Sequence, residues 1–122
     1  MGADYSAVAA RLRAMVEAHA DRLIFTEDPT GGVKLERAPG GHPWDYVAGT
    51  RIGKNYVSYY FMPVYMAPGL LESISPELRR RMQGKACFNF TRVDEALLAE
   101  LATLTATGIE RFRDWQPPER RR

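Results

Sequence analysis

The run Tyr56-Val57-Ser58-Tyr59-Tyr60-Phe61 constrains the fold of this chain more than any other segment. Aromatic and β-branched residues suit a pleated, half-buried surface, so the run reads as a strand. Side chains alternate along a strand. Val57, Tyr59 and Phe61 therefore share one side, and Tyr56, Ser58 and Tyr60 the other. The first set is the more apolar and belongs under helices, while the second carries two phenols and a hydroxyl. Two unlike sides predict an antiparallel sheet covered on one face only.

The remaining elements follow from periodicity and turn chemistry. Val8, Leu12, Met15 and His19 recur at helical spacing and predict a helix over Ser6–Asp21, capped by Asp4 or Ser6. Leu23–Thr26 and Val33–Glu36 read as a hairpin about the turn Asp28-Pro29-Thr30-Gly31-Gly32. Trp44–Ile52 predicts a third strand, and Gly53-Lys54-Asn55 turns it into Tyr56–Phe61. Two short helices are expected at Pro68–Glu72 and Ser75–Met82, the second with Ser75 as cap, Pro76 in first position and Gly84 as stop. Ala86–Phe90 predicts a last strand. A long helix then starts at Asp94, with Leu97, Leu101, Leu104, Gly108 and Phe112 along its stripe. Gly108 in mid-helix costs about 1 kcal/mol relative to Ala and is expected to mark a close approach of helix to sheet. The expected fold class is α+β: a largely antiparallel sheet of about five strands with N- and C-terminal helices on one face.

A chain of 122 residues is the size of one domain, and a domain of that size buries roughly two-thirds of its extended surface. The expected division is a single domain over 1–116 and a Pro/Arg-rich tail over 117–122. Apolar runs are a few residues long, which excludes a membrane-spanning helix. Met1 is followed by Gly2, Ala3 and Asp4, not by a basic stretch and an apolar run, so the expected location is cytoplasmic. A formal net charge of +2 does not identify a nucleic-acid binder. Arg79-Arg80-Arg81 reads as the exposed side of a short helix. A single cysteine, Cys87, leaves no intramolecular disulfide and no thiolate metal cluster within the chain.

The run Arg51-Ile52-Gly53-Lys54-Asn55-Tyr56-Val57-Ser58-Tyr59, followed by Met62-Pro63-Val64-Tyr65, resembles the central hairpin of the YdhG-like domain family. Ile74-Ser75-Pro76-Glu77-Leu78 and Arg81-Met82-Gln83-Gly84-Lys85-Ala86-Cys87-Phe88-Asn89-Phe90 resemble the second half of that domain. The resemblance runs from about Leu12 to Arg113. It implies a domain of largely unknown function, related to proteins proposed as frataxin-like iron chaperones. Iron carriers of that type use ridges of carboxylates, because hard iron takes oxygen ligands. Here the acidic residues are scattered singly or as the pairs Glu27-Asp28 and Asp94-Glu95.

The polar sides of the two best strands supply the candidate site. Alternation places Lys85, Cys87 and Asn89 opposite Phe88 and Phe90, and Tyr56, Ser58 and Tyr60 opposite the core. With Lys54, two of the three lysines border this surface. Lys54, Tyr56, Ser58, Tyr60, Lys85, Cys87 and Asn89 are therefore the expected ligand-binding residues, suited to a small anionic or planar molecule.

The expected function is that of a non-enzymatic binding domain. A thiol-dependent enzyme using Cys87, its pKa lowered by Lys85, is the alternative from another class, and iron delivery is the one from the resemblance. No cofactor motif is present: Gly31-Gly32 is too short for a phosphate loop, and His19 and His42 lack metal-ligand spacing. No RNA-binding strand pair accompanies Gly84-Lys85. Six tyrosines and two tryptophans predict a homodimer, since such residues favour interfaces.

Overall fold

A computed structural model describes residues 5–21 and 23–112. Asp4 and the 117–122 tail lie outside the described residues. The elements are α1 (Ser6–Glu17), β1 (Ile24–Glu27), β2 (Val33–Glu36), a 3-10 turn at Pro43–Asp45, β3 (Tyr46–Ile52) and β4 (Val57–Phe61). They continue with α2 (Pro63–Met66), a 3-10 segment at Pro68–Ser73, α3 (Pro76–Arg79), β5 (Met82–Gln83), β6 (Cys87–Phe90) and α4 (Glu95–Phe112). The fold is α+β, as expected. The strands form one six-stranded sheet in the order β1-β2-β3-β4-β6-β5, and every neighbouring pair is antiparallel.

Alternation sorts the sheet into two sides. Val33 and Leu35 of β2, Ala48 of β3, Val57, Tyr59 and Phe61 of β4, and Phe88 and Phe90 of β6 are all buried in one core. Val8, Leu12 and Val16 of α1 complete that core with Leu97, Leu98, Leu101, Leu104 and Phe112 of α4. Helix α1 packs on β2, β3 and β4, and α4 packs on α1, α2 and α3. Burying a leucine or phenylalanine side chain is worth about 1.5–3 kcal/mol, so these two helical stripes anchor the layer.

Two contacts fix α4 against the sheet. At Gly108 an added β-carbon would lie 2.5 Å from Cζ of Phe61, which is the close approach expected of a mid-helix glycine. One turn earlier, the Tyr59 and Thr105 hydroxyls are 2.8 Å apart in the core. The Thr105 hydroxyl gives its proton to the Leu101 carbonyl, so the Tyr59 phenol donates to Thr105. The start of α4 is capped by Asp94, whose Oδ1 accepts from the Leu97 N–H. Ser75 caps α3 by accepting from the Leu78 N–H. It also donates from its own N–H and hydroxyl to Glu100 of α4. Arg11 of α1 and Glu95 of α4 form a bidentate pair at 2.7 Å.

Several boundaries differ from the sequence reading. Helix α1 stops at Glu17 instead of Asp21, and the N–H groups of His19 and Ala20 bond three residues back, to Val16 and Glu17. Past Val16 the next residues offer only alanines to the apolar stripe, so nothing holds another helical turn. His19 thus lies beyond the helix, and the fully buried stripe is Val8, Leu12 and Val16. The expected strand at Trp44–Ile52 begins only at Tyr46. Pro43 starts a 3-10 turn, and His42 caps it by accepting from the Trp44 N–H through Nδ1. The helix expected over Ser75–Met82 is one turn long; Met82 and Gln83 pair with β6 instead, and Gly84 serves the turn between the two strands.

Candidate functional site

The side of the sheet away from α1 and α4 is crossed by one row of residues in register. Thr26 faces Lys34, Lys34 faces Gly49, Gly49 faces Tyr60, Tyr60 faces Cys87, and Cys87 faces Gln83. A second row runs Arg51, Ser58, Asn89. Four of the expected residues, Ser58, Tyr60, Cys87 and Asn89, are therefore brought together across β4 and β6. Ser58 donates to Asn89 Oδ1 at 2.8 Å, and the Asn89 amide donates to Gln83 at 2.6 Å. The amide is thus oriented from both sides.

Tyr46 enters this surface from an unexpected direction. It opens β3 opposite Glu36, just where the β2–β3 register shifts between Leu35 and Glu36. Its ring lies along the strand over Gly49, where an added β-carbon would meet Tyr46 Oη and sit 2.6 Å from the Val33 carbonyl oxygen. Only glycine leaves room for it. The ring stacks on Tyr60 with centroids 4.2 Å apart and planes at 30°, a separation within the attractive range of aromatic pairs. Lys34 Nζ lies 4.9 Å from the centroid of the Tyr46 ring, a cation–π distance. Burial pushes the Tyr46 phenol up to about 12 and the Tyr60 phenol likewise to about 12. Both are neutral hydrogen-bonding groups at neutral pH.

Two open hollows share Arg51. The larger, about 570 Å³, is lined by Thr26, Asp28, Lys34, Tyr46 and Arg51 among others. The smaller, about 260 Å³, is lined by Arg51, Lys54, Tyr56 and Ser58. Asp28 is the acid of the larger hollow, held below the usual carboxylate range first by its hydrogen bonds from Thr30 and more weakly by Arg51. Beyond the hollow, Glu36 is 9% exposed. Among the described residues its Oε2 has no hydrogen-bond partner, and it lies 3.9 Å from Lys34 Nζ.

The structure does not place Lys85 with the others. Lys54 sits in the β3–β4 turn and Lys85 in the β5–β6 turn, at opposite ends of β4, a strand roughly 17 Å long. The expectation that both ammonium groups border one face is corrected. Strand β6 begins only at Cys87, so alternation does not extend back to Lys85, whose Nζ lies 5.8 Å from the Tyr65 ring centroid. The expected lowering of the Cys87 pKa by Lys85 is also corrected, because burial pushes the thiol up. A protonated thiol is a poor nucleophile.

Lys34, Glu36, Tyr46, Gly49 and Arg51 escaped the sequence reading. The alternation of Val33-Lys34-Leu35-Glu36 carried the signal for the first two. Iron as cargo would need a cluster of hard ligands. Among the described residues no group of three His, Cys, Asp or Glu side chains is placed to hold a metal ion. Among the described residues no helix is long and apolar enough to cross a membrane. Comparison with known proteins finds no matching family model, no matching curated protein and no matching solved structure.

Proposed function

We propose that this chain is a non-enzymatic binding domain of the YdhG-like kind, and that the uncovered sheet face takes a small planar anion. One observation carries the reading: the Tyr46 ring, Lys34 and Arg51 converge on a single open hollow on the side of the sheet that the helices leave bare. Ligand sites combine apolar or aromatic walls with a few placed polar groups. Here the Tyr46–Tyr60 stack supplies the aromatic part, Lys34 and Arg51 supply the cations, and Asp28, with Glu36 beside Lys34, supplies the acids against which a bound anion competes. Ser58 and Lys54, in the adjoining hollow, extend the polar contacts along β4.

The test is an amide chemical-shift titration with phenyl phosphate. The reading requires shifts centred on Lys34, Tyr46, Arg51 and Ser58. Binding should weaken with salt, because exposed charges are screened over about 8–10 Å at ordinary ionic strength. Lys34→Ala and Arg51→Ala should each weaken it, while Cys87→Ser leaves it intact. Shifts that fall elsewhere, or that survive both alanine variants, refute the assignment. Occupation of the face by a second copy, the homodimer expected from the aromatic content, is the competing outcome. Light scattering would then report twice the 13.8 kDa of one chain.

A further inference from the structure

A different hollow lies on the helix-covered side of the sheet, between α2, α3 and the β5–β6 turn. Its volume is about 380 Å³, within the range of about 300–1,000 Å³ for small-molecule sites. Val64, a core residue 1% exposed, lies at its base. Leu71 and Met82, both half-buried against the core, form its walls. Tyr65 lines it while remaining 45% exposed. Arg79 and Lys85 complete the lining as its charged groups, and no carboxylate is among the lining residues.

The two cations are placed there by independent elements. Arg79 ends α3, whose start Ser75 and Glu100 hold against α4. Lys85 is carried by the β5–β6 turn, its ammonium against the Tyr65 ring. Among the described residues neither is ion-paired with a carboxylate. A cationic rim over an apolar floor discriminates by two criteria at once. A free inorganic anion satisfies the rim but leaves the accessible parts of Leu71, Met82 and the Tyr65 ring facing water. A neutral hydrocarbon satisfies the floor but leaves both charges without a partner. The arginine fork pairs with a carboxylate through two parallel hydrogen bonds, and the lysine adds a point charge.

We infer that this hollow is a second binding site, for a small monocarboxylate with an aromatic or branched apolar body. The carboxylate sits between Arg79 and Lys85, and the body lies on Val64, Leu71, Met82 and the Tyr65 ring. The site is separate from the uncovered sheet face and does not depend on the reading given for it.

The test uses the full chain and phenylacetate, with 2-phenylethanol and inorganic phosphate as the ligands that each lack one half of the chemistry. Phenylacetate should shift the amides of Tyr65, Leu71, Met82 and Lys85. Its affinity should exceed that of either comparison ligand at least about tenfold, the ratio that corresponds to about 1.4 kcal/mol. Arg79→Ala and Lys85→Ala should each lower that affinity about tenfold, and Arg92→Ala, at an exposed arginine that lines neither this hollow nor those of the sheet face, should not. Equal affinity for phenylacetate and phenylethanol overturns the proposal. So does retention of affinity in both alanine variants, or a shift pattern centred on Lys34, Tyr46 and Arg51.

Discussion

The ring of Phe61 occupies the space that a side chain at position 108 would fill, with Cζ 2.5 Å from the β-carbon that Gly108 lacks. Replacing a helical glycine by alanine gains about 1 kcal/mol of propensity. Overpacking a core costs about 1–3 kcal/mol. Both Cζ and Cε2 of the ring, and Cβ of Pro63, stand in the way. Gly108→Ala is therefore expected to destabilise by about 1 kcal/mol or more in denaturant unfolding. Phe61→Leu should make the second substitution tolerable, so that the double-mutant cycle shows a favourable coupling. A stabilising Gly108→Ala would mean that α4 stands off the sheet.

The Tyr59–Thr105 pair is expected to respond asymmetrically. Tyr59→Phe removes a donor and leaves Thr105 still bonded to the Leu101 carbonyl. Its cost should be about 1 kcal/mol, that of an ordinary hydrogen bond. Thr105→Val strands the Tyr59 phenol, which is 0% exposed, without an acceptor. A buried polar group left unsatisfied costs about 1–3 kcal/mol. Thermal unfolding of the two variants should rank Thr105→Val as the less stable, and the reverse order would contradict the assigned direction of the bond.

Alkaline pH should weaken the fold through the uncovered face. Tyr46 and Tyr60 are each pushed up to about 12, first by burial, against about 10 in an unfolded chain. Below about pH 10 both states hold the phenolic protons and the contribution is fully present. As the pH rises from about 10 through about 12 the unfolded chain releases protons that the folded one keeps, and stability falls. Tyrosinate absorbance of the folded protein should show three phenols titrating late, these two and the core phenol of Tyr59, which burial also pushes up. Tyr60→Phe should remove one of them. Six phenols ionising together near pH 10 would refute this.

Cys87 should behave as a half-buried, unactivated thiol. Burial raises its pKa, so iodoacetamide at neutral pH should alkylate it more slowly than free cysteine. Lys85→Ala should leave that rate unchanged, because the Lys85 ammonium lies against Tyr65. A rate that dropped with Lys85→Ala would restore the thiolate reading.

The two sides of β4 and β6 were legible in the sequence because alternation alone decides them. Val57, Tyr59, Phe61, Phe88 and Phe90 are buried as expected, and Ser58, Tyr60, Cys87 and Asn89 lie opposite. Register between strands is a different quantity, set by turns and bulges. Nothing local to Tyr46 announces that the irregularity at Leu35/Glu36 aims its ring over Gly49, so the aromatic stack and its cations were missed. Strand β5 was hidden for a related reason. Met82 and Gln83 follow a well-capped helix and read as its end, and only the tertiary pairing with Phe88 and Cys87 makes them a strand. Lys85 was misplaced because alternation was extended one turn too far.

The pairing of β4 with β6 also orders events in time. The β1–β2 and β3–β4 hairpins close over short turns and β2–β3 over residues 37–45, whereas Ser58 and Asn89 meet across 31 positions. Each doubling of loop length adds about 0.6 kcal/mol of closure entropy. The meander is therefore expected to form first and β6 to dock later, which pulsed hydrogen exchange would report as late protection of Phe88 and Phe90. Until then the inner edge of β4 is an unpaired row of backbone groups on the most apolar strand of the chain, the kind of edge that recruits other chains. Aggregation during refolding should start there. Once β6 is seated the hazard moves outward to β5, where Met82 and Gln83 offer an edge too short to template another strand.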